Sequence, residues 1–461
     1  MSAVSLSCAN PIVDAVKSAR SIATWSSTAL KAVPSNHQVT MSWPQANDVT
    51  SYNLYWGNSA DISTANAHKI ENVSSPYVHS GLNNKTSYYY FVTSVGSAGE
   101  SGPSAVASAM PLYLIAYITT RYGVEIYPVD RTTGAFGTPM DGPSTGYNIA
   151  FTMDSACKYA YLTDYFTQQV YSFAVDENSG ALSAVGSPAA AGSDPEFIVI
   201  NSNSSFVYVA NAASNGVAGD TANYSVSGYK VSSSDGSLSL LPGCPWVVGD
   251  QIGGLSVSPD RRFLYLTTNV YTHKLYGYSI DTSTGALTPI GGSPTDTPST
   301  PGPVAFDSTS GRLYVANHSD GVDSINLWSY PVNTVTGVLQ PLVSNMIHTS
   351  SELRNIRNNY LAMDPLGRFL FVGNRMNENS ITVFRVNNGA LSLVKVGTKD
   401  SMLIGYAPSC MAVDAQGNCL YVANGNLVES YAIDQETGAL TPLASTDAGS
   451  SVGDISVVSL P

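Results

Sequence analysis

One short pattern recurs through most of this chain and constrains its fold more than any other feature. A strand ending in a variant of Tyr-Val-Ala-Asn begins at Tyr117, Tyr161, Tyr208, Tyr265, Tyr314, Phe371 and Tyr421, with successive copies 44, 47, 57, 49, 57 and 50 residues apart. A second marker follows each copy, a turn of the form Asp-x-x-x-Gly-Ala-Leu. It runs from Asp130 to Phe136, Asp176 to Leu182, Asp281 to Leu287, Asn333 to Leu339 and Asp434 to Leu440, with shorter versions at Asp235 to Leu238 and Asn387 to Leu391. Glycine supplies the positive φ that reverses the chain, and the Asp carboxylate can cap the turn. A period of this size carrying two independent markers predicts a ring of four-stranded blades, with the recurrent tyrosines packed between blades. The first repeat lacks its opening strand. Gly453 to Val458 matches that strand in pattern, so pairing it beside Tyr113 to Thr119 would close the ring and remove exposed sheet edges.

The segment before the repeats reads differently. Gln38 to Trp43, Ser51 to Trp56 and Ser87 to Val92 alternate apolar and polar residues, the period of half-buried strands in a sandwich. The chain therefore divides into an extension over 1–31, a sandwich over 32–110 and the repeat array over 111–461. Charged residues are only 11% of the chain against a usual value of about 25%, which suits short strands and polar turns. The formal net charge of -13, with no Lys/Arg cluster, excludes a nucleic-acid-binding face. No run of about 20 apolar residues exists to span a membrane.

The sandwich segment resembles a fibronectin type III domain. Trp43 ends one strand, Tyr52 and Tyr55 lie in the next, Leu82 to Tyr88 leads into a long strand, and Gly99 to Ser104 lies near the end. Tyr88 falls at the position of the tyrosine corner of such sandwiches, whose hydroxyl ties to nearby backbone. From Tyr113 to Pro461 the chain resembles the lactonase-type, YVTN-repeat propellers, which include 6-phosphogluconolactonases and many secreted proteins of unassigned role. Val185 to Pro188, Pro242 to Trp246 and Ile290 to Pro294 are similar to the linkers of the secreted branch. The implied fold is all-β: a fibronectin type III-like sandwich followed by a seven-bladed β-propeller closed by the C-terminal strand.

Lactonases of this type place His, Arg and Glu around the central opening. The corresponding strand starts here are Tyr147-Asn148, Pro195-Glu196, Gly253-Gly254, Gly302-Pro303, Asn359-Tyr360, Pro408-Ser409 and Gly453-Asp454, and none holds a histidine or an arginine. Glu196 and Asp454 are the candidate catalytic bases, but without an adjacent cationic electrophile they make a poor lactone-opening pair. The first expectation is accordingly an extracellular or cell-surface binding or scaffold protein, with a lactone or sugar-acid hydrolase as the alternative. Its ligand site is placed on the face of the longer loops, where Arg354, Arg357, Tyr360, Arg375 and Glu378 gather, with Tyr147 and Tyr406 as stacking groups. His273, His318 and His348 with Asp320 and Asp323 are the candidate metal or acid/base cluster, weighed against ordinary solvated surface residues.

No cofactor is expected, and the partner classes that remain are a glycan, a peptide or a protein. The location is expected to be secreted, periplasmic or cell-surface, although Met1 to Asn10 lacks the charged and apolar regions of a signal peptide. The five cysteines show no metal-ligand spacing. Cys410 and Cys419 lie on neighbouring strands and are read as buried thiols in preference to a disulfide.

Overall fold

The computed structural model describes residues 30–460 apart from 47–48, 98, 132, 202–204, 213–223, 261, 270–271, 298–299, 308, 318–325, 341–356, 376–378 and 395–400. Every regular element within them is a strand, and two compact units divide the chain between Tyr113 and Leu114.

The first unit stacks two antiparallel sheets. Lys31–Ser35, Gln38–Ser42 and Tyr77–Ser80 form one. His68–Val73, Ser51–Gly57 and Tyr88–Gly96 form the other, edged by Gly99–Glu100 and Ala107–Ala109. The inward faces bury Trp43, Tyr52, Leu54, Tyr88 and Tyr90 as one core. The Tyr88 hydroxyl accepts a hydrogen bond from the Asn83 amide at 3.0 Å, the backbone tie expected of that residue.

The second unit is the seven-bladed propeller. Blades 2 to 7 begin with the inner strands Asn148–Met153, Pro195–Ile200, Ile252–Val257, Pro301–Asp307, Arg357–Met363 and Cys410–Val413. The inner strand of blade 1 is Val452–Leu460, which pairs with Tyr113–Thr120 and closes the ring as the repeat pattern requires. The second strand of a blade is covered on both faces, so it reads as a continuous apolar run. Phe206–Asn211, Phe263–Thr268 and Cys419–Asn424 are buried at every residue.

The two repeated markers prove to be parts of one fastening. The tyrosine of each second strand donates its hydroxyl hydrogen to the turn glycine carbonyl of the next blade: Tyr117 to Gly180 at 2.8 Å, Tyr161 to Gly236 at 3.0 Å, Tyr208 to Gly285 at 2.8 Å, Tyr265 to Gly337 at 2.8 Å and Tyr314 to Gly389 at 3.3 Å. Blade 6 has Phe371 at this position and no hydroxyl to offer. At the closing seam Tyr421 makes no such bond, and Phe136 stacks on its ring with centroids 5.6 Å apart.

The turn itself is set by Asp and Gly. Asp281 accepts the amides of Ser283 at 2.9 Å and Thr284 at 2.8 Å, and Gly285 takes φ 75°. A Cβ at Gly285 would lie 2.5 Å from the buried Phe206 ring, so both conformation and space demand glycine there. Cys410 and Cys419 are buried free thiols. Their strands place Cys410 opposite Ala423 and Cys419 opposite Ala432, so neither faces the other.

Candidate active site

The seven inner strands start at one end of the disc and converge there on a cavity of about 410 Å³. Each contributes to its wall: Asp454 from blade 1, Ala150 from blade 2, then Glu196, Gly254, Pro303, Tyr360 and Cys410 in blade order. These are the strand starts singled out in the sequence, with Ala150 and Cys410 displaced slightly from the expected positions. Five inner strands shift register at this point, between Asn148 and Phe151, Pro195 and Phe197, Ile252 and Gly254, Pro301 and Val304, and Asn358 and Tyr360. An extra residue bends the strand and re-aims its side chain. Glu196 is the residue left without a ladder partner in blade 3, because Pro195 pairs Asn211 and Phe197 pairs the adjacent Ala210.

The two acids keep an edge toward the cavity and are packed by protein elsewhere. Burial, with the negative charge of Asp194 as a smaller contribution, pushes the Glu196 carboxyl up to about 7. Burial likewise raises Asp454 to about 6, opposed by two amides that donate to it, Phe151 N at 3.0 Å and Ile455 N at 2.9 Å. The backbone of Asp454 is anchored in turn, its amide donating to Thr119 Oγ1 at 2.7 Å. Phe197, Ile198, Leu255, Val304, Leu361 and Met411 supply the apolar part of the wall, a low-dielectric setting that favours the neutral acid. Cys410 is fully enclosed, and its thiol is pushed well above its usual value by burial and then by the Asp454 charge, which keeps it un-ionised.

The remaining sequence candidates scatter. Tyr360 lines the cavity, and Arg357 and Arg375 stand opposite each other on paired strands of blade 6. Tyr147 is half-buried just before the inner strand of blade 2, while Tyr406 is 64% exposed and does not line the cavity. His273 sits in a loop with Nε2 3.5 Å from the Thr300 hydroxyl. Arg354, Glu378, His318, Asp320, Asp323 and His348 lie outside the described residues. Among the described residues no three His, Cys, Asp or Glu side chains converge as metal ligands. The amide of Phe151 and the register shifts escape a sequence reading, since neither leaves a residue-type signature.

The family profile described as Lactonase, 7-bladed beta-propeller matches residues 159–271 and 354–457. No curated protein matches the chain. Among solved structures, a periplasmic gluconolactonase of Pseudomonas aeruginosa shares 19% identity and a TM-score of 0.63, covering 76% of this chain and 100% of its own. A protein of Bacteroides fragilis described as a putative 6-phosphogluconolactonase shares 18% identity at a TM-score of 0.60, covering 75% of this chain and 98% of its own. One of Bacteroides uniformis with the same description gives 18% and 0.61, with coverages of 75% and 99%. At these identities the likeness establishes the fold, a seven-bladed β-propeller.

The expectation of a binding or scaffold protein without turnover is corrected by these findings. The matching profile is that of lactonases, the neighbours bear lactonase descriptions, and the hydrolase alternative is the better supported of the two. The expectation rested on the missing cationic electrophile and left out burial, which raises a carboxyl into the range of a general base.

Proposed function

We propose that the propeller is a lactone hydrolase in which Glu196 is the general base and Asp454 the positioning carboxylate. The observation that carries this reading is the pair of half-buried acids lining one cavity, raised to about 7 and about 6. An acid poised near neutral pH can both accept and return a proton, as an efficient acid–base catalyst must. Ionised Glu196 takes a proton from a water molecule whose oxygen attacks the lactone carbonyl carbon. The tetrahedral intermediate then expels the ring oxygen, which recovers that proton from Glu196, and the product is the open-chain hydroxy acid. Asp454, fixed by the amides of Phe151 and Ile455, accepts a hydroxyl of the substrate and sets its pose. Tyr360 is the hydroxyl side chain of the described wall and the donor assigned to the carbonyl oxygen.

The same reading takes the first unit as a fibronectin type III-like module and the location as extracytoplasmic. The three-stranded sheet facing a larger sheet and the backbone tie of Tyr88 support the first, and the periplasmic description of the P. aeruginosa neighbour supports the second. The test is hydrolysis of glucono-δ-lactone above its spontaneous rate, followed by proton release. Glu196→Gln should lower kcat by about 100-fold or more, the usual contribution of a general base. Wild-type turnover retained in that variant would remove Glu196 from the mechanism.

A further inference from the structure

At the end of blade 2 where its inner strand begins stands an aromatic cluster that the chemistry above does not use. Tyr147, one residue before the inner strand of blade 2, meets Tyr165 and Phe166 from the turn that follows the second strand of the same blade. Ring centroids are 5.9 Å apart for Tyr147 and Tyr165, 5.4 Å for Tyr147 and Phe166, and 5.6 Å for Tyr165 and Phe166. Phe166 is nonetheless 66% exposed. From blade 1, Arg121 brings its guanidinium carbon 5.9 Å from the Tyr147 ring centre, and Tyr122 beside it is 68% exposed.

The cluster is built rigidly. Asp164, fully buried, accepts the amides of Gly146 at 2.9 Å, Phe166 at 3.0 Å and Thr167 at 3.2 Å, while the Tyr165 amide donates to the Tyr147 carbonyl at 2.9 Å. One carboxylate thus holds both loops in place before any ligand arrives, which lowers the entropy cost of binding. The exposed Phe166 ring adds little to folding, because it stays in water. Three residues along the chain from Tyr147, roughly 10 Å as strand, Ala150 lines the cavity, and the next amide, Phe151 N, bonds Asp454.

We propose that Tyr147, Tyr165 and Phe166 form an aromatic subsite at the mouth of the cavity that stacks on a sugar ring, so that the substrates are lactones of di- and oligosaccharides. The proposal rests on the lactonase reading: the lactone ring enters the cavity, and the sugar attached to it lies on Phe166. A pyranose offers an apolar C–H face to an aromatic ring and a girdle of hydroxyls to its edge. The tyrosine hydroxyls and Arg121 supply partners for that girdle, whereas a wholly apolar ligand would strip them of water without replacement.

The experiment compares kcat/KM for cellobiono-δ-lactone and glucono-δ-lactone in the wild type, Phe166→Ala and Phe166→Tyr. Phe166 is exposed, so its truncation leaves the core intact. The ratio of disaccharide to monosaccharide kcat/KM should fall at least fivefold in Phe166→Ala and recover in Phe166→Tyr. An unchanged ratio overturns the subsite. If the wild type hydrolyses neither lactone, the catalytic reading fails separately, and saturation-transfer NMR with cellobiose decides the subsite. Transfer that is lost in Phe166→Ala upholds it, and no transfer to the wild type overturns it.

Discussion

Carboxylates at the two ends of this propeller have opposite fates. On the rim of tight turns, Asp176, Asp281 and Asp434 are solvent-exposed, each accepts backbone amides and a hydroxyl within its own turn, and these bonds hold each carboxyl below its usual value, Asp281 at about 2. At the axial mouth, Glu196 and Asp454 are half-buried along the cavity, and desolvation drives them up to about 7 and about 6. The rim acids are ionised at every physiological pH and serve the chain reversal. The mouth acids titrate where a proton can be exchanged with a substrate. Regularity from blade to blade marks the first set, whereas a shift of strand register marks Glu196 in the second.

That contrast can be broken at either end. Deleting Val452–Leu460 removes the strand shared by both, uncovering the edge of Tyr113–Thr120 and taking Asp454 away with it. The expected result is loss of cooperative thermal unfolding in calorimetry together with aggregation, since an open edge leaves a row of unpaired backbone groups. A truncated chain that melts like the wild type would refute closure by this strand.

Gly285→Ala acts on the rim alone. It forces a side chain onto φ 75° and into contact with Phe206 and Leu241, so denaturant unfolding should show a loss of about 3 kcal/mol. Lactone turnover of the folded fraction should be unaffected. A loss confined to turnover, with stability intact, would contradict the division of roles.

Glu196→Gln acts on the mouth and should move stability the other way. The folded pKa of about 7 lies above the usual 4.5, so the native state holds its proton longer than the unfolded chain does. Stability is therefore lost as pH rises from about 4.5 through about 7. Gln carries no charge to desolvate, and the variant should be more stable than the wild type by up to about 3 kcal/mol well above pH 7, with no difference near pH 4. Equal unfolding free energies of the two proteins at high pH would mean that Glu196 is not held in a charge-averse site.

The sequence made the fold and the closing strand legible, because Tyr208 and Gly285 repeat as residue types in blade after blade and their bond depends on those types. Glu196 and Asp454 were recognisable as strand starts. Their raised pKa values were not, since they follow from desolvation that exists only once the inner strands of several blades meet around one cavity. The aromatic cluster was half legible: Tyr147 stood out, but Tyr165 and Phe166 join it only through the buried Asp164, whose three amide bonds depend on the folded turn.

If Glu196, tuned by burial, catalyses lactone opening, its loss of a proton must govern the rate. The most direct test is the pH dependence of kcat/KM for glucono-δ-lactone, corrected for spontaneous hydrolysis, from about pH 5 to about pH 9. The expected profile rises tenfold per pH unit at the acid end and levels off around pH 7, where Glu196 loses its proton, with no such rise in Glu196→Gln. A wild-type profile that is flat across this range, or that rises unchanged in Glu196→Gln, would contradict it.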